Sequence, residues 1–444
     1  MAFLDLCFRR HVYHSVARLH GHRGAINALA FMPNGLVLAS GSDDESIKLW
    51  STGHAICLQT LIDGQESFGE VKALCFIGAD GQWLVSGTGR GLVCVYERTL
   101  GGRYYQTTSV LGTSASNDPV ESLAFDPGSR CLAVTSHNGA IVVYNPDFTG
   151  IRVALRMQWS SDVAPMIPRS CAFVSAGKDL FVFGLNTGDI TTLSATTGEM
   201  VSRHHLGCPI GSAAVDSKGS VLLLQNVGDS FELYDIRSNK LIHIIPADST
   251  IPFLTDVKFT KSGAIAAGGS ATGKVRIIHI GSGSVVQELN HGRGILLLCS
   301  LTLPTNEMEL GPVQALDMAS TCMLDIIASG SSADLHDIRL WAKPTRLVVM
   351  TTRSLYIVLL ALSVYYTFQM WMPWLNQWFS LEVATASIGR AGCQGIQYFQ
   401  MSPVPDLDLH WACCCDGYDD DTPDLMGRVL QRHMQMQERV VTEE

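Results

Sequence analysis

Gly21-His22-Arg23-Gly24-Ala25-Ile26-Asn27-Ala28-Leu29-Ala30-Phe31 runs through Pro33-Asn34-Gly35 into Leu36-Val37-Leu38-Ala39-Ser40-Gly41-Ser42-Asp43-Asp44. It closes on Ser46-Ile47-Lys48-Leu49-Trp50. The order reads as a strand, a Pro-Asn-Gly turn, an apolar strand, a tight Asp-rich turn and an alternating strand. One such unit cannot bury its apolar face alone, so the next question is whether the chain repeats it.

It does, in weaker copies. Val71–Phe76 leads to Leu92–Tyr96, Val120–Gly128 to Ile141–Tyr144, and Cys171–Phe173 to Ile190–Leu193. Ile210–Val215 leads to Phe231–Asp235, Val257–Phe259 to Val275–His279, and Val313–Asp317 to Asp337–Trp341. The residues that close the third strand are then 50, 96, 144, 193, 234, 279 and 341, with steps of 46, 48, 49, 41, 45 and 62. The long last step reflects an insertion at Asn290–Pro312, with its own apolar run Ile295–Leu298.

The first copy closely resembles a WD repeat, and the period is near that of WD-repeat propeller blades. The resemblance covers about Tyr13 to Lys343 and implies an all-β, seven-bladed propeller over residues 13–344, after a leader of residues 1–12. Matched onto this chain, the family's buried hydrogen-bonded network falls on His22, Ser40, Asp44 and Trp50. Tyr96, Tyr144, Tyr234 and Trp341 become further blade anchors. Six residues before the later anchors stand Arg90, Asn138, Thr187, Gly228, Gly273 and Leu335. None is Asp, so the network is expected in the first blade alone. Tyr13–Leu19 reads as a strand with no partner upstream, and no fourth strand follows Trp341. Pairing the two closes the ring and removes two open sheet edges.

Beyond residue 344 the pattern changes. Residues 345–353 form a basic linker, and Leu355–Leu375 is an uncharged run, LYIVLLALSVYYTFQMWMPWL. At 1.5 Å per residue the run is about 30 Å long, so residues 354–375 are expected to cross a bilayer as a helix. Arg339, Lys343, Arg346 and Arg353 precede it, and no Lys or Arg follows until Arg390. The positive-inside rule then places the propeller in the cytosol, at the ER or another endomembrane. Residues 376–444 hold 11 acidic and 4 basic residues and are expected to be mostly disordered. Cys413-Cys414-Cys415 lies in this tail; consecutive cysteines cannot converge on one zinc ion.

Composition narrows the chemistry. Of 444 residues, 16% are charged and 47% hydrophobic, mean hydropathy is +0.19 and net charge is -10. No dense basic block suggests a nucleic-acid partner. The 13 cysteines lack a disulfide framework, and the amino terminus lacks a secretory h-region. Gly268–Lys274 has the spacing of a phosphate-binding loop, but Val275 replaces the Ser or Thr that would reach Mg²⁺, so a hairpin turn is expected there. Adjacent His204 and His205 would point to opposite faces of a strand. No catalytic residue, metal or cofactor is expected. Propellers offer broad faces for proteins and peptides, and the expected role is a membrane-tethered, non-catalytic interaction scaffold. Two alternatives rest on resemblance. The layout is similar to the ER-anchored exchange factor for a Sar-type small GTPase. Tyr234-Asp235-Ile236-Arg237 resembles the W-D-x-R ending of cullin–RING ligase substrate receptors, which makes Asp235 and Arg237 candidate adaptor contacts.

Overall fold

Seven four-stranded antiparallel sheets account for every strand of the chain's described residues. The computed structural model describes residues 12–62, 68–78, 80–99, 104–112, 117–148, 153–227, 230–246, 253–291, 312–321, 323–332, 336–345, 358–360 and 362–373. Blade 1 runs Ile26–Phe31, Val37–Ser42, Ser46–Ser51 and Ile56–Ile62 from its innermost to its outermost strand. Blades 2 to 6 repeat this order over residues 71–112, 120–162, 168–205, 210–246 and 257–290. Blade 7 takes Val313–Ser320, Leu324–Ser331 and Ile338–Pro344 from one end of the chain and His14–Leu19 from the other. His14 pairs with Ala342, Ser15 with Trp341 and Leu19 with Ile338. The ring is thus a closed seven-bladed propeller.

The two middle strands of each blade are buried on both faces, which is why they read as apolar runs without strict alternation. Cys131–Ser136 is buried at every position, whereas the outer strand Met200–His205 is exposed at nearly every one. Between blades 1 and 2, Ile47, Leu49 and Ala39 meet Val71, Leu84 and Cys94. Small residues set the blade spacing. A Cβ at Gly41 would collide with Val71, at Gly87 with Val120, and at Gly330 with Ile26. In each case the first residue of a neighbouring blade's innermost strand enters the space a side chain would fill.

Two expectations change. The anchor in blade 6 is Ile278, not His279. In six blades the outer strand slips register at the anchor, and in blade 6 the slip falls between Ile277 and Ile278. Ile278 is buried and His279 exposed. The expected spanning helix of residues 354–375 also fails to appear. A helix covers 358–373, with residue 361 outside the description. Among the described residues no helix is long and apolar enough to cross a membrane. Tyr, Thr and Gln side chains dilute its apolar surface, and the Thr367 hydroxyl donates to the Ser363 carbonyl at 2.9 Å. The leader before residue 12, the linker 346–353 and the tail 376–444 lie outside the described residues, as does most of the insertion.

Candidate interaction face

In blade 1 the turn joining Val37–Ser42 to Ser46–Ser51 presents the Asp44 carboxylate inward. Its Oδ1 accepts from the Ser46 amide at 3.0 Å and hydroxyl at 2.6 Å, and its Oδ2 accepts from the Arg23 amide at 2.9 Å. His22 Nδ1 lies 2.9 Å from Asp44 Oδ2, and its Nε2 lies 2.7 Å from Ser40 Oγ. The Trp50 indole N–H donates to Ser40 Oγ at 2.8 Å. With Nδ1 protonated, every donor in the series points toward Asp44, so each bond polarises the next. Burial alone would raise the Asp44 carboxyl. The hydrogen bonds from His22, Ser46 and Arg23 outweigh it and hold the group well below its ordinary value.

A second complete network stands in blade 7, contrary to the expectation that only the first blade has one. His291 Nδ1 lies 2.8 Å from Ser329 Oγ, His291 Nε2 lies 3.1 Å from Asp337 Oδ1, and the Trp341 indole donates to Ser329 Oγ at 3.0 Å. Six-residue spacing pointed to Leu335, but a shorter path from turn to anchor puts the carboxylate at Asp337. The Arg18 guanidinium on the closing strand donates to Asp337 Oδ2. The strand that shuts the ring is therefore bonded directly to the buried network. The Tyr13 amide donates to Gln287 Oε1 at 2.8 Å, and Gln287 Nε2 returns a bond to the Tyr13 carbonyl at 2.7 Å. Lys343 sits 4.6 Å above the Tyr13 ring.

Beside the blade 1 turn begins a polar collar. Six innermost strands slip register one residue after their start, at Asn27, Lys72, Glu121, Arg169, Gly211 and Gln314. Thr255 holds the matching place in blade 6, two residues before Val257, as Asn27 stands two before Leu29. Collar side chains bond from blade to blade. Gln314 donates to Asn27 Oδ1 at 3.0 Å, Asn27 to the Val71 carbonyl at 3.1 Å, and Arg169 to Glu121 at 3.1 Å. Asn27 also donates to Asp43 at 2.7 Å, which ties the collar to the turn that carries Asp44. Lys72 lies 3.6 Å from Asp43 and 3.5 Å from Glu70.

Below the collar, side chains of one innermost strand accept amides of the next. Ser122 accepts from Cys171, Asp256 from Leu316 at 3.4 Å, and Asp317 from Phe31 at 2.6 Å. Burial acts to lower the pKa of Lys258, but Asp256 and Asp317 outweigh it and keep the ammonium charged. Burial pushes the Cys75 and Cys171 thiols up to about 12 and about 11, which leaves them protonated and poorly nucleophilic at neutral pH. Among the described residues no group of three His, Cys, Asp or Glu side chains is arranged to hold a metal ion. None of the six described cysteines is in a disulfide.

The remaining sequence-derived sites fall elsewhere. Tyr96 and Tyr144 are buried anchors, and the Tyr234 hydroxyl donates to Glu232 at 2.7 Å. Asp235 Oδ1 is occupied by the Ser238 amide and hydroxyl, both at 2.7 Å. Arg237 is exposed on the same turn. His204 and His205 diverge as their adjacency required: His204 meets Asn239 at 3.0 Å and His205 meets Asp189 at 2.9 Å. Gly268–Lys274 spans a hairpin turn between two strands of blade 6. Arg18, His291, Ser329 and Asp337 escaped the sequence reading. Their one visible sign was Asn290-His291, which stands where Gly21-His22 stands in the first copy.

Residues 13–51 and 107–145 match the WD40 family, described as WD domain, G-beta repeat. The chain carries WD40 repeats. It is 26% identical over 229 residues to echinoderm microtubule-associated protein-like 4 of Mus musculus, covering 51% of this chain and 21% of that protein. It is 24% identical over 267 residues to pre-mRNA-processing factor 19 of Oryza sativa subsp. japonica, covering 58% and 48%. A shorter match, 43% over 49 residues, joins it to ribosome biogenesis protein ERB1 of Saccharomyces cerevisiae, covering 11% and 6%. The chain thus spans less than half the length of each of these relatives.

Proposed function

We propose that this WD-repeat propeller is a non-catalytic protein–protein interaction scaffold whose main docking face is the collar around the channel mouth. The observation that carries the reading is the collar itself. It sets amides and charged side chains of both signs on the innermost strands, which buried networks and blade-to-blade bonds hold rigid. The names of the relatives, concerned with microtubule association, pre-mRNA processing and ribosome biogenesis, share no single chemistry. That diversity suits a binding module whose partner is set by its side chains.

The test is proximity labelling with the full chain and with the double variant Lys72→Glu, Arg169→Glu. The variant is expected to lose a defined set of labelled proteins at unchanged thermal stability. An unchanged set in a folded variant would remove the collar as the docking face.

A further inference from the structure

The outermost strand of blade 5, Lys240–Pro246, departs from its counterparts. It exposes Leu241 by 45%, Ile242 by 44% and Ile244 by 57%, and no charged residue stands between Lys240 and Pro246. Other outer strands are better protected. Blade 3 places Arg156 there, paired with Asp147 at 2.8 Å, and blade 6 places Glu288, paired with Lys274 at 3.0 Å. Blades 1 and 2 are also uncharged along Ile56–Ile62 and Tyr105–Gly112, but blade 1 exposes large aliphatics only at its two ends, Ile56 and Ile62, and blade 2 exposes Val110 alone. A flat edge of unpaired amides and carbonyls beneath exposed aliphatics invites a further strand.

The same rim is cationic. Arg237 and Lys240 are both exposed, and among the described residues neither makes an ion pair. The nearest carboxylate on the turn, Asp235, is taken up by Ser238. Leu241 lies opposite Tyr234 and Ile244 opposite Glu232, so the two aliphatics share the face of the blade that carries those side chains. Ile245, opposite Phe231, is buried in the core between blades 5 and 6.

We infer that the outer edge of blade 5 is a second docking site, separate from the collar. It takes an extended segment of a partner protein in which aliphatic and acidic residues alternate, added as a fifth strand. The aliphatic side chains of such a segment cover Leu241 and Ile244, and its carboxylates face Arg237 and Lys240. The backbone supplies the affinity, and the charges exclude basic or neutral sequences.

The experiment uses the full chain and a fluorescent peptide of about eight residues with alternating Asp and Leu, read by polarisation. The peptide is expected to bind, and its alternating Lys and Leu counterpart is not. Ile244→Asp is expected to weaken binding about tenfold or more, and Arg237→Glu with Lys240→Glu to weaken it similarly. N-methylation of alternate peptide amides is expected to abolish binding, because it removes the main-chain donors. Lys72→Glu with Arg169→Glu at the collar is expected to change nothing, so failure here and failure of the collar reading are separable. Equal binding of the acidic and basic peptides, or binding indifferent to Ile244→Asp or to N-methylation, would overturn the proposal. So would self-association of the chain that Ile244→Asp abolishes, which would make this edge a contact between copies.

Discussion

Blades 1 and 7 are built differently from blades 3 to 6. The first pair centres on a buried serine, Ser40 or Ser329, that receives an indole N–H and meets a histidine. At the same place on the second strand, blades 3 to 6 put Val134, Val182, Leu224 and Gly268. Their anchors are Tyr144, Leu193, Tyr234 and Ile278, none of which carries an indole. One solution bonds the buried serine, histidine and indole to one another; the other puts no polar side chain at that place. Both avoid an orphaned hydroxyl there, which would cost about 1–3 kcal/mol. The polar solution is placed where the ring lacks covalent continuity. Blade 7 closes through a strand more than three hundred residues away in sequence, and that closure must offset a large loop entropy. Directional bonds to Asp337 fix the register of the incoming strand, which aliphatic packing alone does not.

The contrast is broken most severely at Asp337. Asp337→Ala removes the acceptor shared by His291 and Arg18 and leaves Arg339, 3.8 Å away and almost fully buried, without its carboxylate. A loss of about 3–5 kcal/mol is expected, the cost of leaving buried partners uncompensated. Urea unfolding would measure it, and a loss below about 1 kcal/mol would show that closure does not depend on the network. Asp44→Ala in blade 1 is expected to cost less, about 2–3 kcal/mol. Its carboxylate is more exposed than that of Asp337, and no closing strand hangs on it.

Acid should expose the same asymmetry. Burial would raise both carboxyls, but their hydrogen bonds outweigh it and hold both below the ordinary value of 3.8 in the folded chain. As pH falls, the unfolded chain takes up protons first. The stabilisation is complete near neutrality and is lost from about pH 5 downward. Each Asp→Ala variant should therefore flatten the fall in urea midpoint between about pH 7 and pH 4. If neither variant changes that slope, the two carboxyls are not the groups that titrate.

The strand rhythm, the ring closure and the blade 1 network were legible because each is local or depends on an unmatched edge. Gly21 to Trp50 shows its turns and its Asp in one stretch, and Tyr13–Leu19 had no partner except the far end. The blade 7 network was hidden for two physical reasons. Its histidine is separated from the following strand by residues 292–312, and its aspartate stands four residues before Trp341, where Asp44 stands six before Trp50. The collar was invisible because it arises from a register slip in six of the seven innermost strands, and side-chain identity does not announce a slip. The 354–375 run shows the opposite error. Lack of charge alone suggested a span, but among the described residues no helix is long and apolar enough to cross a membrane.

Blade 2 lies between the two solutions and gives the finest test. Ser86 occupies the place of Ser40, opposite Leu74 as Ser40 is opposite Leu29. The anchor is Tyr96, so no indole reaches it. The Ser86 hydroxyl is fully buried with no hydrogen-bond partner. A serine with its network removed retains the desolvation cost and none of the return. Ser86→Ala should therefore be neutral or stabilising by up to about 1 kcal/mol, whereas Ser40→Ala should destabilise by about 1–3 kcal/mol. Two urea midpoints decide it. Destabilisation of equal size at both sites would mean that the serine supports the blade through packing, and that the divide between networked and apolar blades carries no energetic weight.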